Sequence, residues 1–179
     1  MNNFELIGEK ILLREFQTDD YVDVYKNIQD KKIPLFVGTP FPYGEIEAKA
    51  FVKRAIQANK DKSELQMAIT DKKTGEFCGA IGLMFDRKNP VAEIGFWIGD
   101  KYRGKGFMPE ASLLMIKYGF EKLELKRIYA RAYTQNRSSC RVFEKLGFKL
   151  EGRMRECVYR FGVVFDSNIY GLLKKEFKG

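Results

Sequence analysis

A basic, glycine-rich turn followed by a helical segment is the part of this sequence that most directly suggests chemistry. The turn is Arg103-Gly104-Lys105-Gly106, and residues 107–122 behind it are typical of a helix. Glycines let backbone N–H groups approach an anion because no Cβ intervenes. The first turn of a helix adds unpaired N–H groups and the positive end of the helix dipole. The turn therefore predicts a phosphate or pyrophosphate site, with a solvated strand-to-helix turn as the alternative.

Glu93 is the only charged residue in the stretch Val91–Ile98, which has the β-branched and aromatic composition of a buried strand. Burial disfavours the charged form of a carboxyl group, so Glu93 is a candidate general base. Gly95, on the same face, leaves room beside it. The alternative is a strand-edge glutamate or a structural ion pair with an arginine. The chain has no histidine, which excludes Ser-His-Asp and Cys-His catalysis.

A second candidate lies in the helical segment 136–146. Asn136 suits the N-cap position of this helix. Helical spacing places Ser139 on the same face as Val142, Phe143 and Leu146. Ser139 is therefore expected to point inward, either as a functional hydroxyl or as a small core residue.

Taken together, these stretches resemble the GNAT superfamily of acyl-CoA-dependent N-acyltransferases. The run Arg103-Gly-Lys-Gly106-Phe107-Met108 is similar to the acyl-CoA pyrophosphate loop of that family, Arg/Gln-x-x-Gly-x-Gly/Ala, and departs from it at Met108. Asn136-x-x-Ser139 followed by Glu144-Lys145-x-Gly147-Phe148 resembles the next conserved helix of the family.

Two further stretches resemble one branch of this superfamily, the RimJ/RimL type that acetylates the N-termini of ribosomal proteins. They are Ala92-Glu-Ile-Gly-Phe-Trp-Ile98 and Asp166-Ser-x-x-Tyr170-x-Leu-Leu. The resemblance extends over nearly the whole chain, so we expect one N-acetyltransferase domain over residues 1–179.

The resemblance implies an α/β (α+β) fold of the GNAT kind, with a mixed, mostly antiparallel sheet and helices on both faces. The order of strand and helix patterns along the chain independently favours this arrangement. The sheet would be splayed into a V between the Glu93 strand and the strand Arg127–Tyr133. The pantetheine arm would lie in that V and pair with the Glu93 strand like an extra strand.

The strand and helix patterns have definite bounds. Strands are predicted at residues 10–16, 65–70, 77–85, 91–98, 127–133, 148–159 and 163–173, and helices at 18–29, 45–59, 107–122 and 136–146. Residues 31–44 contain three prolines and two glycines among apolar side chains. We expect a structured loop there, which either lines a substrate site or is anchored in the core.

The resemblance also implies roles for individual residues in acetyl transfer from acetyl-CoA to a primary amine. Glu93 would be the base, directly or through a water, and Ser139 would assist the leaving thiolate. Asn136 would hold the pantetheine amide or orient the catalytic water, and backbone N–H groups near residues 96–98 would polarise the thioester carbonyl. The expected cofactor-binding residues are Phe96, Trp97, Ile98, Arg103, Gly104, Lys105, Gly106, Phe107, Met108, Asn136, Ser139 and Lys145.

Composition narrows the remaining choices. Lys and Arg total 32 against 24 Asp and Glu, a net charge of +8, which suits an anionic cofactor, a nucleic-acid-rich setting or simply solubility. The three cysteines are far apart without a CxxC pair, so no cysteine metal site is expected. No stretch has transmembrane length and no signal-peptide core stands out, which predicts a cytoplasmic protein.

Several acceptors and functions remain open at this stage. The expected partners are acetyl-CoA and an amine, first a protein N-terminus, with no membrane and no direct nucleic acid required. Polyamines, amino acids and antibiotics are alternative amine acceptors, and a homodimer is expected by analogy alone. Alternatives of another class are a basic nucleic-acid-binding module and a non-catalytic acyl-CoA-binding module.

Overall fold

Eight strands form one sheet in the computed structural model, which describes residues 4–29 and 31–179. The strands are β1 Glu5–Ile7, β2 Ile11–Glu15, β3 Glu64–Asp71, β4 Phe77–Phe85, β5 Val91–Ile98, β6 Arg127–Tyr133, β7 Lys149–Arg160 and β8 Val163–Leu173. The α-helices are α1 Tyr21–Asn27, α2 Lys32–Val37, α3 Glu45–Lys60, α4 Phe107–Glu121 and α5 Arg137–Lys145.

The strand order is β1-β2-β3-β4-β5-β6-β8-β7. Every neighbouring pair is antiparallel except β5 and β6, which are parallel. The expected mixed, mostly antiparallel sheet is therefore confirmed. The sequence analysis missed β1 and α2, because elements of three and six residues are too short to show a clear period.

Helices cover both faces of the sheet, as expected. On one face, α4 and α5 enclose a large core that includes Leu13, Ile69, Ile94, Met115 and Phe143. On the other face, α1 and α3 enclose a second core that includes Val24, Val52, Ala80 and Trp97. The period-two alternation of β5 divides its side chains between these cores.

The sheet opens between β5 and β6. Parallel pairing runs only from Val91↔Arg127 to Glu93↔Tyr129. Beyond these pairs β5 continues to Ile98 on the β4 side, and β6 continues to Tyr133 on the β8 side. The two strands diverge while each keeps its other neighbour, which confirms the predicted V.

The segment at residues 31–44 is shaped by α2 and by the chain that leads into α3. Ile33 and Tyr43 belong to the core beneath α3, and Pro34 is also buried, which supports the interpretation that this segment is anchored. Residue 30 lies outside the described residues. None of the helices in the described part of the chain combines the length and the apolar composition that a membrane span requires.

Candidate active site

The backbone of β5 presents unpaired groups to the opening beside β6. The N–H of Asp86 donates to the carbonyl of Val91 at 2.9 Å, and the N–H of Gly99 donates to the carbonyl of Cys78 at 2.8 Å. Hydrogen-bonded pairs alternate along an antiparallel ladder, so the odd-numbered residues of β5 bond to β4. Phe96 and Ile98 therefore direct their N–H and C=O groups into the opening.

Trp97 is a correction to the sequence analysis, which placed it among the cofactor-binding backbone groups. It is opposite Ala80 in the ladder, and by the same alternation its backbone bonds to β4. The residue is 8% exposed, and its indole packs in the core with Phe51 and Phe77. Trp97 therefore offers the opening neither backbone nor side chain.

The edge of β6 that faces β5 also directs unpaired backbone groups into the opening. The N–H of Thr134 donates to Asp166 and the N–H of Lys174 donates to the carbonyl of Lys126, both at 3.0 Å. Even-numbered residues of β6 thus bond to β8, and the backbone of Arg131 faces the opening. Two strand edges with free polar groups flank one cleft, which suits an extended ligand that carries amide groups.

Side chains close the two faces of this cleft. On the face covered by α4 and α5, the rings of Phe96 and Phe143 lie 5.2 Å apart. On the opposite face, the Arg131 guanidinium holds the Glu93 carboxylate through two hydrogen bonds, Nε to Oε1 and Nη2 to Oε2, each 2.9 Å long. The Glu93 side chain is 18% exposed and that of Arg131 is 55% exposed.

The Glu93 carboxylate raises the pKa values of two neighbouring side chains. The hydrogen bond to Glu93, and then the charge of Glu93, raise the pKa of the Arg131 guanidinium. Burial, and then the same carboxylate charge, raise the pKa of the Tyr129 phenol. Met84 fills part of the room beside Gly95, because a Cβ at Gly95 would lie 3.4 Å from the Met84 methyl group. Glu93 therefore forms an ion pair with an arginine. Such a pair was the alternative to a role of Glu93 as general base.

The glycine turn lies between β5 and α4. Gly104 has φ +76° and Gly106 has φ +84°, backbone conformations that strongly favour glycine. A Cβ at Gly104 would find nothing within 4 Å, so the backbone there is open to a ligand. The first N–H groups of α4, those of Phe107 and Met108, have no acceptor within their own helix, which suits an anion.

Lysine and arginine side chains surround the turn. The Lys105 ammonium lies 5.2 Å from the centre of the Tyr102 ring, and Arg103 pairs with Asp100 at 3.0 Å. Lys10 was missed by the sequence analysis. Its ammonium would be 3.7 Å from a Cβ at Gly106, and its backbone N–H donates to the Glu110 carboxylate of α4. No local pattern indicates a contact between residues so far apart in sequence.

A shallow pocket of about 430 Å³ extends from the turn along lysines of the β1–β2 and β3–β4 connections. It is lined by Glu9, Lys10, Asp71, Lys72, Lys73 and Phe107. Its charge is positive on balance, so it extends the positive surroundings of the turn towards β2 and β3. Among the described residues, no group of three or more His, Cys, Asp or Glu is placed to hold a metal ion.

Helix α5 starts at the predicted cap. The Asn136 side-chain oxygen accepts from the Ser139 N–H at 3.3 Å and from the Ser138 hydroxyl at 2.8 Å. This oxygen is committed to capping, so contacts of Asn136 with a ligand would use its amide N–H groups. Ser139 is half-buried and Ser138 is exposed, as the helical spacing predicts. Lys145 is exposed in the last turn, about 9 Å along the axis from Ser139.

The segment at residues 31–44 forms a wall on the Glu93 face of the cleft. The ring of Phe36 lies 6.3 Å from that of Tyr133. The tip of the β7–β8 hairpin holds this segment in place, because the Arg160 guanidinium donates to the carbonyls of Gly38 at 2.6 Å and Thr39 at 3.0 Å. The segment is therefore both anchored in the core and placed beside the cleft, so the two alternatives of the sequence analysis are compatible.

Comparisons with known proteins agree with this geometry. A family model described as an acetyltransferase (GNAT) domain matches residues 10–149. Uncharacterized N-acetyltransferase p20 of Bacillus licheniformis is 30% identical over 176 residues, 97% of this chain and 98% of p20. A ribosomal-protein-serine acetyltransferase of Escherichia coli (strain K12) is 30% identical over 101 residues, 55% of each chain.

Solved structures show the same architecture. A GNAT-family acetyltransferase from Bacillus anthracis superimposes with a TM-score of 0.86 at 25% identity, over 97% of this chain and 100% of the other. RimL, a ribosomal L7/L12 alpha-N-protein acetyltransferase solved with coenzyme A, superimposes with a TM-score of 0.85 over 95% and 98% of the two chains. At 19% identity this second likeness concerns the fold alone.

Proposed function

The chain belongs to the GNAT family of acetyltransferases, and we propose that it transfers the acetyl group of acetyl-CoA to the α-amine of a protein N-terminus. The main support is the cleft between β5 and β6, which has two unpaired strand edges and a glycine turn at the end of β5. An acyl-CoA is an extended molecule with amide groups along its arm and a pyrophosphate at one end. The cleft and the turn match both features.

The fit to acetyl-CoA rests on this chain's own groups. The open backbone at Gly104, the first N–H groups of α4 and the nearby Lys10 ammonium would bind the pyrophosphate. The free N–H and C=O groups of Phe96 and Ile98 would pair with the pantetheine amides in the manner of an added strand. The distance also fits, because Glu93 lies five residues before Ile98, about 16 Å along the strand.

The chemistry is direct attack of the amine on the thioester, which acetyl-CoA supplies. An α-ammonium has a pKa of about 7.7–8.0, so little help is needed to deprotonate it. Glu93, directly or through a water, would take one proton from the ammonium and release it to solvent. The nitrogen bonds to the carbonyl carbon as the carbon–sulfur bond breaks, and its second proton ends on the sulfur. The Ser139 hydroxyl would stabilise the departing sulfur and relay that proton.

An N-terminus is preferred as acceptor over a polyamine because of the charges at the mouth of the cleft. Polycations need acidic grooves, whereas the charged residues of β5 and β6 are Glu93, which is paired with Arg131, and Arg127, which is paired with Glu151. The tip of the β7–β8 hairpin exposes Tyr159, Phe161, Val163 and Val164, a surface suited to a protein partner. The family assignment favours an enzyme over the nucleic-acid-binding alternative.

The test offers acetyl-CoA and two peptides that share one sequence with an internal lysine, the second peptide having a blocked N-terminus. Thiol release with the free peptide, and mass spectrometry that places the acetyl group on its first residue, would support the proposal. Acetylation of the lysine in both peptides, or thiol release with polyamines only, would refute the N-terminal acceptor.

The role of Glu93 has its own test. Glu93→Gln keeps the shape of the side chain and removes the base, so turnover at saturating substrates should fall by about 100-fold or more. Unchanged turnover would show that Glu93 is not the base.

A further inference from the structure

The Glu93 carboxylate already has a partner. Both of its oxygens accept hydrogen bonds from Arg131. A carboxylate that a guanidinium holds through both of its oxygens has no oxygen free to meet an incoming amine. An amine that approaches Glu93 must therefore replace the guanidinium, and the replaced Arg131 then needs a new partner.

Resting on the function proposed above, we propose that Arg131 is a specificity-determining residue that selects N-termini with an aspartate or glutamate in the first two residues. In such an acceptor the α-ammonium takes the place of Arg131 on Glu93, and the acidic side chain takes the place of Glu93 on Arg131. One internal ion pair is exchanged for two intermolecular pairs, and no charge is left without a partner.

The surroundings of Arg131 favour an incoming acid. Glu93 is the acidic group that raises the pKa of the Arg131 guanidinium. The phenols of Tyr129 and Tyr133 raise this pKa further. The nearby Arg127 is already held by Glu151. Arg131 is thus the cation that the Glu93 face of β6 offers to an anionic ligand, and its side chain is more than half exposed.

The geometry limits where the acid can be. The two hydrogen bonds that join Glu93 and Arg131 are 2.9 Å long, so the sites for the ammonium and for the acid are adjacent. A side chain in the first or second residue reaches this short separation, whereas a more distant residue would have to fold back. The uncharged rings of Phe36 and Tyr133 lie beside the site. Arg131 is therefore the charged group that an incoming acidic side chain would contact there.

The experiment compares two pairs of peptides, Ala-Asp against Ala-Asn and Asp-Ala against Asn-Ala, each continued by the same neutral sequence. In at least one pair, kcat/KM of the acidic peptide should exceed that of its amide counterpart by about tenfold. Arg131→Gln should reduce this ratio to about one, and Arg131→Lys should restore part of it. A lost ion pair that acted only on the fold would change both peptides of a pair equally.

Arg127→Gln is the matched control, because Arg127 lies on the same face of β6 and its ion pair is with Glu151. This variant should keep the peptide preference of the unmodified chain. Equal kcat/KM within both pairs, or a preference that persists in Arg131→Gln, would overturn the inference while acetylation itself continued. If no peptide were acetylated although polyamines were, the proposed function would fail as well.

Discussion

Replacing Gly106 by alanine separates the cost of backbone strain from the loss of ligand binding. Gly106 has φ +84°, and a left-handed conformation costs an L-residue about 1–2 kcal/mol. The new Cβ would lie 3.7 Å from Lys10, an ordinary contact, so we expect no added steric cost. For a chain of this size the strain corresponds to a decrease in Tm of roughly 2–8 °C.

The same substitution should also reduce the stabilisation by acetyl-CoA, by about as much as the strain itself costs. Acetyl-CoA at 100 times its Kd should stabilise the unmodified protein by about 2.7 kcal/mol. In the variant the new methyl group narrows the approach of an anion to the turn. If Kd rises by about thirtyfold, the same concentration of acetyl-CoA contributes only about 0.9 kcal/mol. Thermal unfolding with and without acetyl-CoA measures both quantities.

Gly162→Ala is the matched control for this measurement. Gly162 has φ +80°, and a Cβ there would find nothing within 4 Å, so the strain is comparable. Gly162 lies at the tip of the β7–β8 hairpin, away from the turn, so its variant should keep the full acetyl-CoA effect. If Gly106→Ala also kept it, the turn would not be the pyrophosphate site and the reasoning from the sequence would be wrong.

Three further outcomes are expected. Ser139→Ala should lower kcat more than it raises KM for acetyl-CoA; the opposite result would make Ser139 a binding residue. In the native protein only the exposed Cys157 should react with thiol reagents, as counted by mass spectrometry, because Cys78 and Cys140 are buried and burial raises the pKa of Cys78 to about 12. Burial also raises the pKa of Tyr43 from 10.0 to about 12. The folded state thus retains this proton more tightly than the unfolded state, and stability is lost as pH rises through that range. Tyr43→Phe should lose less stability than the unmodified protein between about pH 8 and about pH 11 in denaturant titrations.

The sequence predicts the parts of the site that depend on local pattern. The strand Val91–Ile98, the turn behind it and the cap at Asn136 are each encoded within a few neighbouring residues. Burial and glycine conformation act locally at these positions, so composition and spacing are sufficient evidence. The backbone assignment at Trp97 failed for a different reason. Which residues of a strand bond to which neighbour depends on register, and the sequence of one strand does not determine it.

The contacts that would control chemistry are the ones that local pattern could not predict. Lys10 reaches the turn from the position just before β2. Arg131 reaches Glu93 from β6, although 38 positions separate Arg131 from Glu93. Alternation alone places Glu93 on one face of its strand and Arg131 on one face of another. Only the parallel register that ends at Glu93↔Tyr129 brings those faces together.

That register also explains why the ion pair forms at this point. Arg131 lies two residues beyond Tyr129 on the same face of β6, where the two backbones have begun to separate. A long guanidinium side chain can span the widening distance, whereas the backbone groups cannot. The divergence that opens the cleft therefore also creates the position at which side chains must bridge it. Under the proposed mechanism, a substrate that enters there meets the ion pair before Glu93 can accept a proton, so selection of the acceptor and release of Glu93 would be a single event.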